Sequence, residues 1–275
     1  PHGIIVRQGK ITAEVLDAAE SLQVVCKHGV GTDNIDIAAA SERGIPVLYT
    51  PRANFESLAE HTLALILALA RKIPQQDQRI RNGVFDKKNF DGLELFGKTL
   101  GIIGFGNSGR RLTELVAPFR MQVLVYHPSR TAEKLPGYIR KVDHAAAIFP
   151  EADIISLHCP LNAATRNLIN RETIDQMKPG VLIINTSRGG IVNEGDLFQA
   201  LQERRIRGAA LDVFENEPPA ADHPLFKLDN IIFTTHVGGV SDNSAKNMGM
   251  DSVKNVLAVL TGAPVDKGSL VNPGF

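Results

Sequence analysis

T-L-G-I-I-G-F-G-N-S-G-R-R-L, Thr99 to Leu112, is an apolar run broken by three glycines and followed by a stretch with helical spacing. Gly104, Gly106 and Gly109 fit the pattern G-x-G-x-x-G, and the pattern stands where its mechanism requires, between a strand and a helix. Gly104 permits a tight turn. Gly106 lets the backbone come close to an anion, and Gly109 lets helix and strand pack tightly. The helix led by Asn107 and Ser108, just past Phe105 and Gly106, then turns its unpaired N–H groups toward that anion. The motif therefore predicts a pyrophosphate cradle, and with it a dinucleotide.

Downstream, short apolar runs alternate with amphipathic stretches at the interval of βα units. The runs Leu100–Ile103, Gln122–Tyr126, Ile154–His158, Val181–Asn185, Ala209–Val213 and Ile231–Phe233 read as parallel strands covered on both faces. Helical spacing marks Ser108–Phe119, Arg171–Met177 and Glu194–Arg204. The expected architecture is a Rossmann-type doubly wound parallel sheet. Upstream, Ile4–Tyr49 repeats the βα theme on a smaller scale, as part of a smaller flavodoxin-like α/β substrate domain. The helix Ser57–Arg71 is apolar nearly all round, which places it between layers, domains or subunits. The helix Ser241–Leu260 returns the chain to the first domain. Residues 1–51 and 241–275 are thus expected to form the substrate domain, and 52–240 the dinucleotide domain. The opening P-H-G-I-I-V-R reads as a strand without its lead-in, so an N-terminal part is expected to be missing.

Composition narrows the function classes. Of 275 residues, 43% are apolar, enough for one large or two moderate cores. Lysine plus arginine equals aspartate plus glutamate at 30 each, so no basic field invites nucleic acid. Cys26 and Cys159 lie far apart and in no metal-binding context, so no metal is expected. No apolar stretch is long enough to span a membrane, and no leader opens the chain, which points to the cytoplasm.

Three reactive groups fall at or just past the ends of late strands, where open α/β sheets bind ligands. They are Arg188 in N-T-S-R-G-G, Glu217 in L-D-V-F-E-N-E-P and His236 in T-T-H-V-G-G. Reduction of a 2-oxo acid needs a cation for carboxylate and carbonyl, a proton donor for the oxygen, and a group to orient the donor. Arg188 offers paired hydrogen bonds to a carboxylate. His236 is the side chain able to give and take a proton near neutrality, and Glu217 can orient its ring. For the coenzyme, the second strand should end in an acidic residue about 20 residues past the glycine loop, where it binds the adenosine ribose. His127 stands there, with Ser129 and Arg130 just beyond. The absent carboxylate and the added cation favour NADP over NAD.

The segments H-G-V-G-T-D-N-I-D, F-E-S-L-A-E-H-T-L-A-L, G-K-T-L-G-I-I-G-F-G-N-S-G-R, H-C-P-L-N-A-A-T-R, N-T-S-R-G-G-I-V-N-E-G-D-L, G-A-A-L-D-V-F-E-N-E-P-P and T-H-V-G-G occur in this order. Together they resemble the D-isomer-specific 2-hydroxyacid dehydrogenase family, in its phosphoglycerate dehydrogenase branch. The resemblance implies hydride transfer between NAD(P) and a small D-2-hydroxy or 2-oxo acid, with Arg188, Glu217 and His236 as the catalytic trio. It implies that the backbone of Val30 and Gly31 meets the substrate carboxylate, and that Arg7 helps with the substrate's far end. Asp212 would hold the nicotinamide carboxamide, while His158, Cys159, Pro160, Thr165, Thr186, Ser187 and Gly238 would line the cofactor. It also implies a homodimer built through the helix near Leu63–Leu69.

Some positions depart from the family pattern. Besides His127, Ser108 replaces an isoleucine, Thr235 replaces a proline, and His28 stands before G-V-G where a small residue is common. His28 is therefore counted among the substrate-facing residues, making the pocket tighter or more basic. Within the enzymes, a phosphoglycerate dehydrogenase and a hydroxypyruvate or glyoxylate reductase are the alternatives. Lys10 and Lys27 are further candidate cations for a phosphate. From another class, a dinucleotide-sensing corepressor-like binding protein shares the fold.

Overall fold

The computed structural model describes residues 1–88, 90–128 and 135–274. Ser129 and Arg130, expected beside the coenzyme ribose, lie outside the described residues. The chain divides into two compact units, Pro1–Ser57 with Gly239–Phe275, and Leu58–Gly238.

The smaller unit carries three parallel strands, β1 (Gly3–Val6), β2 (Val24–Lys27) and β3 (Val47–Leu48), in the order β1-β2-β3. Two short helices, α1 (Ala13–Asp17) and α2 (Ile37–Glu42), connect them. Asp36 caps α2 by accepting the Ala39 N–H at 2.9 Å. One face of the sheet joins Val6, Leu16, Val25, Ile35 and Val47 in a core. On the other face Val24, Cys26 and Leu48 meet Val256 and Val259 of the C-terminal helix, Asp242–Thr261. That helix starts on a capping box in which Ser241 and Ser244 exchange side-chain and backbone bonds.

The larger unit opens within α3 (Phe55–Ala70), followed by α4 (Ile73–Arg81). Its sheet comprises β4 (Thr99–Ile103), β5 (Gln122–Tyr126), β6 (Ile139–Lys141), β7 (Ile154–Leu157), β8 (Leu182–Asn185), β9 (Gly208–Leu211) and β10 (Ile231–Phe233). These are parallel, in the order β10-β9-β8-β7-β4-β5-β6. The strand order reverses beside β4, which creates the crevice between the ends of β4 and β7. Helices α5 (Asn107–Val116), α6 (Arg171–Asp175) and α7 (Glu194–Gln202) make the connections. Strands β7, β8 and β9 are buried along their whole length, which accounts for their unbroken apolar sequence.

The apolar girth of α3 is used inside this unit. Leu65, Ile66 and Leu69 are buried against Leu100, Ile102, Leu112 and Val123, with Leu63 and Leu67 partly buried beside them. Each such side chain removed from water contributes about 1.5–3 kcal/mol. The helix segment Leu63–Leu69, expected at a subunit contact, thus buries one side in its own core. Exposed apolar side chains occur at Ile73, Ile80, Val84, Phe85 and Phe96.

Candidate active site

The turn after β4 takes the form the glycines require. Gly104 has φ 103°, and a Cβ there would lie 2.4 Å from the His158 carbonyl carbon. A Cβ on Gly109 would lie 2.4 Å from the Gly104 oxygen, so strand and helix touch at backbone distance. Around Gly106, by contrast, a Cβ would meet nothing within 4 Å beyond its own chain neighbours. Gly106 also caps α5, so open space adjoins the helix N-terminus. That combination fits a pyrophosphate. Phe105 is buried, with the Arg110 guanidinium 4.8 Å from its ring centre. His127 is the first residue after β5 and is half-buried.

Beneath the loop, His158 is held between two serines. Ser108 Oγ lies 3.2 Å from its Nδ1 and Ser156 Oγ 2.9 Å from its Nε2. Both ring nitrogens are thus engaged within the protein, and Ser108 replaces an apolar contact with a hydrogen bond. Although the residue keeps some accessible surface, its ring lies deep, and burial lowers its pKa from 6.5 to about 4. Because the folded value is the lower one, the unfolded chain takes the extra proton first. The stabilisation is whole above pH 6.5 and is lost as pH falls toward 4; it amounts to about 3 kcal/mol. Chemical denaturation at stepped pH should show the midpoint falling across that window, with a shallower fall in His158→Gln. Cys159 is buried, which pushes its thiol up to about 11. Pro160 and Thr165 form a turn, Thr165 Oγ1 donating to the Pro160 carbonyl at 2.6 Å.

The catalytic candidates sit at the same ends of later strands. After β8, the fully buried Asn185 shapes the turn N-T-S-R. Its Nδ2 donates to the Arg188 carbonyl at 2.8 Å, and its Oδ1 accepts the Ser187 N–H at 3.1 Å and hydroxyl at 2.9 Å. Thr186 Oγ1 lies 3.0 Å from Thr62 Oγ1 of α3. Arg188 donates to the Ser187 carbonyl at 2.7 Å. After β9, the Phe214 N–H donates to Glu217 Oε1 at 3.1 Å, while Glu217 Oε2 lies 2.7 Å from His236 Nδ1. The pair is half-exposed, with side chains 38% and 49% accessible. His236 therefore keeps Nε2 for a ligand. Its backbone is left-handed, at φ 55°.

Asp212 and Gly238 are joined, the Gly238 N–H donating to Asp212 Oδ2 at 2.8 Å. Burial alone would raise the Asp212 pKa. Bonds from His61, Thr234 and the N–H groups of Val237 and Gly238 outweigh it and hold the carboxyl below its usual value. Asn185, His61 and Thr234 were not singled out by sequence reasoning. Their signals are present: a polar residue ending an apolar strand, and a histidine inside an apolar helix.

In the smaller unit the loop after β2 is pinned by Thr50, whose Oγ1 accepts the Gly29 N–H at 3.1 Å. The N–H groups of Val30 and Gly31 meet no acceptor among the described residues. Lys27 bonds the Arg7 carbonyl at 2.6 Å and Asn34 Oδ1 at 2.8 Å, so its ammonium braces the loop. Arg7 is exposed, and His28 is half-buried with Nδ1 enclosed and unbonded. Among the described residues no cluster is suited to hold a metal ion, and no helix is long and apolar enough to cross a membrane.

Known proteins resemble this chain in sequence and fold. Residues 63–238 match the family described as "D-isomer specific 2-hydroxyacid dehydrogenase, NAD binding domain". A D-3-phosphoglycerate dehydrogenase of Archaeoglobus fulgidus is 41% identical over 96% of this chain and 50% of its own length. The chain thus spans about half the length of that relative. A hydroxypyruvate reductase of Thermotoga maritima is 39% identical over 94% of this chain and 84% of its own. The crystal structure of an Aquifex aeolicus D-lactate dehydrogenase complexed with NAD and lactic acid superposes with a TM-score of 0.89 at 32% identity, covering 99% of this chain and 87% of that one. The family match over residues 63–238, together with a relative matched over nearly the whole chain, shows that the chain belongs to the D-isomer-specific 2-hydroxyacid dehydrogenases.

Proposed function

We propose that this chain interconverts a small D-2-hydroxy acid and its 2-oxo acid with NAD(P), as a phosphoglycerate dehydrogenase or a hydroxypyruvate or glyoxylate reductase does. The observation that carries the reading is the His236–Glu217 bond of 2.7 Å, made beyond the same C-terminal ends of the parallel strands as the glycine cradle. The bound nicotinamide supplies or accepts the hydride. The chain's own residues do the rest.

Arg188 binds the substrate carboxylate through its planar fork and polarises the C2 carbonyl. The Val30 and Gly31 N–H groups are proposed to meet a substrate carboxylate, a role favoured by their lack of an acceptor among the described residues. With Nδ1 turned to Glu217, His236 presents Nε2 to the C2 oxygen. It gives its proton as the carbonyl is reduced and takes one back when the alcohol is oxidised. Asp212, Thr186, Ser187 and Gly238 flank the nicotinamide end, while Phe105 to Gly109 and His127 flank the phosphate and adenosine end, with Cys159, Pro160 and Thr165 beside them. His127 in place of a carboxylate favours NADP, and reduction of the 2-oxo acid is then the favoured direction. Arg7 is the cation proposed for the substrate's far end, with His28 beside it as a further substrate-facing side chain, since the Lys27 ammonium already has two acceptors.

A homodimer through the helix near Leu63–Leu69, where Leu63 and Leu67 are only partly buried, is the proposed assembly. Two buried, unpaired cysteines suit a reducing compartment such as the cytoplasm. The test is oxidation of NADPH and of NADH with glyoxylate, hydroxypyruvate, pyruvate and 3-phosphohydroxypyruvate offered in turn. Turnover on at least one acid is expected, faster with NADPH. Dinucleotide binding with no turnover on any of them would overturn the reading in favour of a sensor.

A further inference from the structure

Asp212 is 1% exposed, and its oxygens are largely committed to the protein. Oδ1 accepts the Thr234 hydroxyl at 2.5 Å and the Val237 N–H at 3.0 Å, and Oδ2 accepts the Gly238 N–H at 2.8 Å. The Asp212 carbonyl accepts the His236 N–H at 2.8 Å. All these donors belong to one short loop, Thr234 to Gly238, and His236 is in its middle. His61 of α3 completes the group, with Nε2 3.0 Å from Thr234 Oγ1 and 3.6 Å from Asp212 Oδ1. The single hydroxyl proton of Thr234 goes to Asp212, so its oxygen accepts from His61, and Nε2 of His61 bears a proton. Room is tight as well. A Cβ on Gly238 would lie 2.9 Å from both Asp212 Oδ2 and Leu58 Cδ1, and 3.1 Å from His61 Cδ2.

We infer that His61, through Thr234 and Asp212, is a positioning residue that sets the place of His236. The inference deepens the acid–base role proposed for His236 and rests on it. A left-handed backbone at a non-glycine residue persists only where its surroundings over-determine it. Here the surroundings are a carboxylate with three donors from the loop itself and a histidine fixed on a helix whose core-facing side is buried. Asp212 also keeps one lone-pair direction on Oδ2 for a carboxamide, so clamp and cofactor contact are compatible.

The test compares His61→Phe, which keeps the ring's bulk and removes the donor, with His61→Gln, which keeps an N–H. In His61→Phe, kcat is expected to fall about tenfold, with the KM for dinucleotide within about twofold, and His61→Gln to recover most of the loss. Amide NMR resonances of Val237 and Gly238 should shift and exchange faster with solvent in the Phe variant only. If His61→Phe does not fold, Thr234→Val breaks the same link, with the same expected split. A kcat within twofold of the parent's, or unchanged amides, overturns the inference. The amides also separate the two ideas: faster exchange in a protein whose parent reduces none of the acids upholds the clamp and defeats the functional reading.

Discussion

Replacing His236 by alanine is expected to lower turnover by about 10²- to 10⁴-fold while leaving dinucleotide affinity within about twofold. The asymmetry follows from position. The ring bonds Glu217, and the loop around it is secured through backbone N–H groups that survive the substitution. The glycine cradle belongs to the end of β4 and loses nothing. Steady-state rates beside a fluorescence titration of the dinucleotide separate the two quantities. Turnover at the parent's rate would remove His236 from the chemistry, whereas a lost nucleotide affinity would make the residue a structural one.

Gly189→Ala should cost the most in stability. A Cβ there would fall 1.9 Å from both the carbonyl carbon and oxygen of Phe214, and 2.3 Å from the Glu215 nitrogen. Those are backbone atoms, and their loop is tied down. The Glu215 N–H donates to Glu194 Oε1 at 2.7 Å, the Glu194 N–H donates to Glu215 Oε1 at 3.2 Å, and His223 Nε2 lies 3.0 Å from Glu194 Oε2. The methyl group can be admitted only by parting the Arg188 turn from the loop leading to Glu217. An overpacking cost of about 3 kcal/mol is expected, read as a lower denaturation midpoint. Misplacement of the two catalytic segments should also lower kcat/KM roughly 100-fold in the protein that still folds. An unchanged midpoint would show that the loop yields and that the close approach has no structural importance.

The sheet was legible because β4, β5, β7, β8, β9 and β10 are mostly apolar and mostly buried, and burial on both faces writes itself into sequence as a nearly unbroken run. Strand β6 escaped for the opposite reason. Ile139-Arg140-Lys141 lies at the sheet edge, and its arginine and lysine are exposed. Helix α4 escaped as well, since none of its residues is buried and no apolar stripe repeats along it. In α5 the expected helix runs on to Phe119, whereas the α-helix ends at Val116 and a 3₁₀ turn through Pro118 follows.

Of the candidate trio, sequence placed all three residues at or just past strand ends, and the structure brings two of them, Glu217 and His236, into a bond. The supports of the trio were not legible. Asn185 looks like the last letter of a strand, and His61 like a polar face of a helix; only the fold brings them to the turns they brace. Ser108 stood out only as a departure from the family pattern, yet it forms one of the two bonds to the His158 ring. A pairing across so many residues of sequence leaves no local pattern to read.

The left-handed backbone at His236 sets chemistry and durability against each other at one residue. Glycine would adopt φ 55° freely, whereas histidine gives up about 1–2 kcal/mol to stand there. Laboratory selection for heat resistance alone would therefore reward the loss of the imidazole, and an assay of catalysis must accompany every round if the activity is to survive the improvement.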